Sequence, residues 1–209
     1  HIAAEIRVPL PQPRNRLEPA FRAVVDELYA ILTSRFTEAI RAHRGGAAAR
    51  AQPLPRAPIS RLLGLVDTLA KPPYQGEADL AHVAHRLAFP EPQLFPLAAA
   101  LHLLEFAELT RGHVRLTAAG RLLACADTEE RKRLFREHLL RFVPLAAHIA
   151  GVLEERPDHA APRARFELEL QDHLSRHDAE VTLRAVTAWG RYAELFAYDD
   201  RARSFLQRA

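Results

Sequence analysis

The sequence predicts a mainly α fold with small β-hairpins (α+β), built as two similar units joined by helices. Three observations predict it. Apolar residues recur every three or four positions over most of the chain beyond residue 58, the spacing that lines one face of a helix. Short alternating runs flank turn residues at Arg111-Gly112 and at Asp199-Asp200, as in hairpins. Each run is entered through an aromatic residue followed by Ala-Glu-Leu, at Phe106-Ala107-Glu108-Leu109 and at Tyr192-Ala193-Glu194-Leu195. A fragment used twice at the same kind of junction points to two related units.

In chain order, Ile6, Val8 and Leu10 alternate with charged or proline positions and read as one short strand, followed by Pro11 and Pro13 as an extended tail over 1–16. A lone strand must belong to a sheet built elsewhere. Over 17–42, Phe21, Val24, Val25, Leu28, Ile31, Leu32 and Phe36 mark an amphipathic helix, with Pro19 in its first turn. Residues 43–57, with Gly45-Gly46, an alanine run and prolines, read as a linker.

The first unit then spans 58–126. Helices are expected over 59–69, 79–87 and 91–104, then a hairpin over 106–117, then a helix over 118–124 capped by Thr117. Three helices followed by a hairpin is the winged-helix order. Helices over 128–142 and 145–155, split at Pro144, connect the units across 127–156. The second winged-helix-like unit, 157–209, has helices over 166–174 and 178–189, a strand over 192–198 and a second strand over 204–206.

The charge is +3 over 209 residues, which taken as an average favours an anionic partner. Its distribution removes that argument. Residues 1–57 carry +4, residues 58–126 are neutral, and residues 127–209 carry −1. A recognition helix needs basic or amide side chains for phosphates and base edges, yet the stretch from Gln93 to Leu104 has no Arg or Lys. It is apolar around most of its circumference, as a helix buried against protein is. A winged-helix DNA-binding regulator is therefore the alternative reading and not the primary one.

Catalytic and metal chemistry find little support. There is no G-x-x-x-x-G-K-[ST] phosphate loop, and Lys71 and Lys132 are the only lysines, so no enzyme activity and no cofactor are expected of this stretch. Cys125 reads as a small buried core residue. Ser60, Ser175 and Ser204 read as caps or turn residues. The pairs His82/His85 and His173/His177, with His102/Glu105, have the spacing of neighbours on a helix. Each pair falls short of the three or four ligands that zinc takes, so a metal-responsive module is a second alternative.

The block Trp189-Gly190-Arg191-Tyr192-Ala193-Glu194-Leu195-Phe196-Ala197-Tyr198-Asp199 resembles the signature of the AAA-associated C-terminal domain of nitrate/sulfonate/taurine-type ABC transporter ATP-binding subunits. Leu63-Gly64-Leu65, Leu116-Thr117-Ala118-Ala119-Gly120, Arg131 to Arg136 and Val143-Pro144-Leu145 extend the resemblance over 58–209. Residues 2–16 and 21–33 resemble the last strand and helix of the same subunits' ATPase domain. With no methionine in the chain, a piece of a longer protein is expected.

The resemblance implies a non-catalytic regulatory or interaction domain, peripheral at the cytoplasmic face of the inner membrane. Its implied partner is the ATPase domain of the same or a partner subunit, with a homodimer possible. Membrane association comes only through the transporter, and nucleic acid is not expected. Within the signature, Trp189 reads as a core anchor and Gly190 as a helix terminator with positive φ. Arg191 and Glu194 pair with each other or with a partner. Tyr192 and Phe196 share one face of a strand, with Ala193 and Leu195 on the other and Tyr198 following.

Overall fold

The computed structural model of the protein describes Val8, residues 19–21, 23, 24 and 27, and residues 50–88 and 90–208. The described positions within 19–27 are helical. The expected strand and tail over 1–16, apart from Val8, and the remainder of 17–42 lie outside the described residues, as does the linker before Arg50.

The first unit opens with α1 (Ile59–Ala70), which starts at Pro58 and turns Leu62, Leu65, Val66 and Leu69 inward. Strand β1 (Glu77–Asp79) leads into α2 (Leu80–Arg86), where the Asp79 carboxylate accepts from the His82 N–H at 3.1 Å. Helix α3 (Glu91–Leu103) follows, then β2 (Ala107–Thr110) and β3 (His113–Leu116). Arg111 and Gly112 both take positive φ, 50° and 81°, as a two-residue hairpin turn matched to strand twist requires. Helix α4 (Ala118–Cys125) is capped by Thr117, whose hydroxyl accepts from the Gly120 N–H. Gly120 has no room for a side chain: a Cβ there would sit 1.9 Å from the Phe106 carbonyl oxygen.

Helix α5 (Thr128–Phe142) begins at an Asp127 cap with Glu129 and Glu130 in its first turn, where carboxylates suit the helix dipole. Helix α6 (Pro144–Glu155) opens the second unit, followed by β4 (Ala160–Pro162), α7 (Arg163–Gln171), α8 (Arg176–Tyr192), β5 (Phe196–Asp199) and β6 (Ser204–Gln207). The two three-stranded antiparallel sheets have the same order, β1-β3-β2 and β4-β6-β5. Helix α6 packs on β4 and β6 as α1 packs on β1 and β3. Of the two helices expected to connect the units, only α5 lies between them.

Backbone hydrogen bonds fix the register of the repeat. Phe106 N–H donates to Leu101 O at 2.8 Å and Glu105 N–H to His102 O at 3.1 Å; Leu195 N–H donates to Gly190 O at 2.9 Å and Glu194 N–H to Arg191 O at 3.3 Å. Both corners are Schellman caps, with Glu105 (φ 58°) and Glu194 (φ 54°) in the left-handed position that glycine usually takes. Glu194 therefore matches Glu105, and the Ala-Glu-Leu coincidence lies three residues out of register. Tyr192 consequently ends α8 instead of opening a strand, and Tyr192 and Phe196 do not share a strand face.

The segment 51–57, expected as part of a linker, is packed into the body: Ala51, Gln52, Leu54 and Ala57 are buried. Leu54 N–H donates to Thr182 Oγ1 at 3.1 Å, and the Trp189 indole N–H donates to Ala57 O at 2.9 Å. Prolines 53, 55 and 58 hold this strap extended, and its apolar residues join the core that α1 and α8 share.

Candidate interaction site

The signature block occupies the corner where α8 meets β5, with α5 lying across it. Trp189 is fully buried and its ring meets the Phe135 ring edge-on, centroids 6.4 Å apart. Phe135 also receives Tyr192 edge-on at 5.3 Å and stacks on Phe106 of the first unit at 6.0 Å. One α5 side chain thus holds rings from both units together. Burial pushes the Tyr192 phenol above its ordinary pKa.

Gly190 does not end the helix. It lies in the last turns of α8, and only Gly76 and Gly112 among the described glycines have positive φ. Its role is closeness. A Cβ at Gly190 would stand 2.2 Å from Phe196 Cζ, so the missing side chain leaves room for the tip of the Phe196 ring against the helix.

Arg191 and Glu194 do not pair with each other. Arg191 reaches Asp200 in the hairpin turn at 3.9 Å, both exposed. Glu194 accepts from Lys132 Nζ at 3.1 Å and Arg208 Nη2 at 3.0 Å, while its carbonyl accepts from Arg136 Nη1 at 3.4 Å. The Lys132 hydrogen bond, with Arg208 nearby, holds the Glu194 carboxyl below the usual carboxylate range. Glu129 and Glu194 raise Lys132 correspondingly. At the other corner, His138 Nδ1 lies 2.6 Å from Leu104 O and its ring stacks on Phe106 at 4.2 Å. Helix α5 therefore grips both helix-to-hairpin corners, with Lys132 and Arg136 on one and His138 on the other.

The remaining sequence candidates are dispersed. His82 and His85 are exposed on α2, and His82 meets Tyr74 edge-on at 6.2 Å. His173 lies past the end of α7 and His177 in the first turn of α8, so the two do not share a helix. Among the described residues, no three His, Cys, Asp or Glu side chains gather as a metal-holding group. Cys125 is exposed, not buried: α4 buries Gly120 and Leu123, and ~100° per residue carries Cys125 about 200° round from Leu123. Ser175 caps α8 as expected, whereas Ser60 lies inside α1 and Ser204 in β6.

In α3, Ala98, Ala99, Ala100 and Leu101 are all buried. Four consecutive buried residues cover every side of a helix, so the apolar circumference read from the sequence is a buried one. Among the described residues no helix is long and apolar enough to cross a membrane.

Sequence reasoning missed one cluster. Arg163, Arg184, Arg191 and Arg203 line a groove of about 410 Å³ between α7, α8 and the second hairpin, together with Glu180 and Asp200. These arginines span 41 positions of sequence, and only the topology of the unit collects them.

Comparison with known proteins gives a consistent result. Neither a curated protein nor a solved structure shows significant similarity to the chain. Residues 81–199, from α2 to the end of β5, match the C-terminal AAA-associated domain, a stretch that contains both gripped corners and the whole signature. The chain therefore belongs to the C-terminal AAA-associated domain family, accessory domains of ATPase-type proteins.

Proposed function

We propose that this chain is a non-catalytic regulatory and interaction domain of an ABC transporter ATP-binding subunit of the nitrate/sulfonate/taurine import type. It acts at the cytoplasmic membrane face, by docking on the ATPase domain of its own or a partner subunit. The observation that carries this reading is family membership across both units. Burial in the chain's own core of α3, the helix that would enter a DNA groove in a winged-helix regulator, argues against DNA as the partner. Docking biases ATPase dimer closure by binding one conformation better than the other. No residue of this chain touches nucleotide in that scheme.

The test is ATP turnover and transport by the intact subunit with and without residues 58–209. A change in turnover, or in its response to transported solute, is expected on deletion. Equal turnover and equal transport under all solute conditions would overturn the regulatory reading.

A further inference from the structure

We propose that the arginine groove of the second unit binds a phosphoryl group, free or as the monoester of a small organic molecule. The inference goes beyond the regulatory reading, because it concerns a ligand of this chain and not its effect on an ATPase.

The central observation is Arg163. It is only 8% exposed, yet among the described residues its guanidinium has no hydrogen-bond or ion-pair partner. Its stem is covered but its guanidinium is not sealed off, because the buried side-chain polar atoms without a partner among the described residues are Gln52 Nε2 and Tyr74 Oη. Arg163 meets water in the groove it lines, where an anion would replace that water. Arg203 borders the same groove, and its side chain likewise has no partner among the described residues, while its carbonyl accepts from the Arg163 N–H at 2.8 Å. Arg184 is paired with Glu180 on its own helix, and Arg191 stands 3.9 Å from Asp200. Four guanidinium groups against two carboxylates leave a local surplus of two positive charges. Guanidinium forks match phosphoryl oxygens in geometry and charge.

The first unit provides an internal control, because the same backbone frame there carries no such cluster. Leu80 N–H donates to Gly112 O at 2.9 Å, as Arg163 N–H donates to Arg203 O. Leu80 and Gly112 therefore take the places of Arg163 and Arg203. In the register set by Glu105 and Glu194, Phe95 matches Arg184 and His102 matches Arg191. The fold does not require arginine at these four places. In the second unit they converge on one concavity.

Shape and charge distinguish the ligand class. Arg163 sits too deep in the groove to meet the backbone of a duplex, and Glu180 and Asp200 in its lining repel a long polyanion. A volume of about 410 Å³ falls in the range of small-molecule sites and exceeds one phosphate. Half-buried Tyr198 and exposed Ala188 supply a less polar wall for an organic portion.

The experiment is calorimetric titration of the full 209-residue chain with inorganic phosphate, with adenosine 5′-monophosphate and with a short DNA duplex. Binding of either phosphate probe, weakened about tenfold or more by Arg203→Gly or Arg191→His, is the expected result. Those exposed positions leave the melting temperature near wild type. Arg163→Leu, the first unit's residue at that place, is expected to abolish binding. Tighter binding of the monophosphate identifies an ester, and equal affinity identifies the free oxyanion. Absence of heat with both phosphate probes, affinities unchanged in Arg203→Gly and Arg191→His, or tighter duplex binding with a steep salt dependence would each overturn the proposal.

Discussion

Lys132 Nζ lies 3.1 Å from a Glu194 carboxylate oxygen, joining α5 to the residue whose left-handed backbone turns α8 into β5. The Glu194 carboxyl titrates below its ordinary range because Lys132 and Arg208 favour its charged form. A depressed folded pKa gives stability that is present above the unfolded value of about 4.3 and lost as pH falls through the folded value. Glu194→Gln should therefore melt below wild type at neutral pH, and the gap should close as the pH drops below about 4. Melting curves of both proteins across that window check it; a gap that does not vary with pH would mean the pair is not its source.

Gly190→Ala sets two effects against each other. Alanine in a helix interior gains up to about 1 kcal/mol over glycine, but the new methyl meets the Phe196 ring at 2.2 Å. Overpacking of a closed contact costs about 1–3 kcal/mol, so net destabilisation is expected. Adding Phe196→Leu should return part of the loss, which denaturant unfolding of the single and double variants would measure.

Trp189→Phe keeps a ring in the core and removes the indole donor. Ala57 O then loses a buried partner, at a cost of about 1–3 kcal/mol. The strap over 51–57 should loosen with it. Exposed Arg56 lies within that strap, so trypsin should cut after Arg56 faster in the variant than in wild type. Unchanged cleavage would show that the strap is held by its apolar residues alone.

Cys125 should react with a thiol reagent in the folded protein, at full stoichiometry and without denaturant, because its side chain faces solvent. Labelling only after unfolding would contradict the placement of α4.

The sequence was most legible where several local signals agree. Helix α5 was expected over 128–142 and forms over those residues, because the Asp127 cap, the acidic first turn and Pro144 coincide with the apolar period. Strands β1 and β4 were missed: Glu-Ala-Asp and Ala-Ala-Pro carry no alternating pattern, and they are strands because β3 and β6 offer them an open edge. The end of α8 was misread for a different reason. A late glycine is a standard stop, but here Glu194 adopts the left-handed backbone and Gly190 is reserved for Phe196. Cys125 was misjudged because a small apolar residue carries no sign of which way a two-turn helix faces.

The proline strap has a mechanical consequence. Residue 57 is tied to the indole of the last long helix, and that helix is gripped by α5 at the corner it shares with β5. A pull transmitted along the chain from residues before 50 thus loads α8 directly, without first unfolding α1. Tension on the strap would meet α8 at two points, the Thr182 hydroxyl that holds Leu54 and the Trp189 indole that holds Ala57.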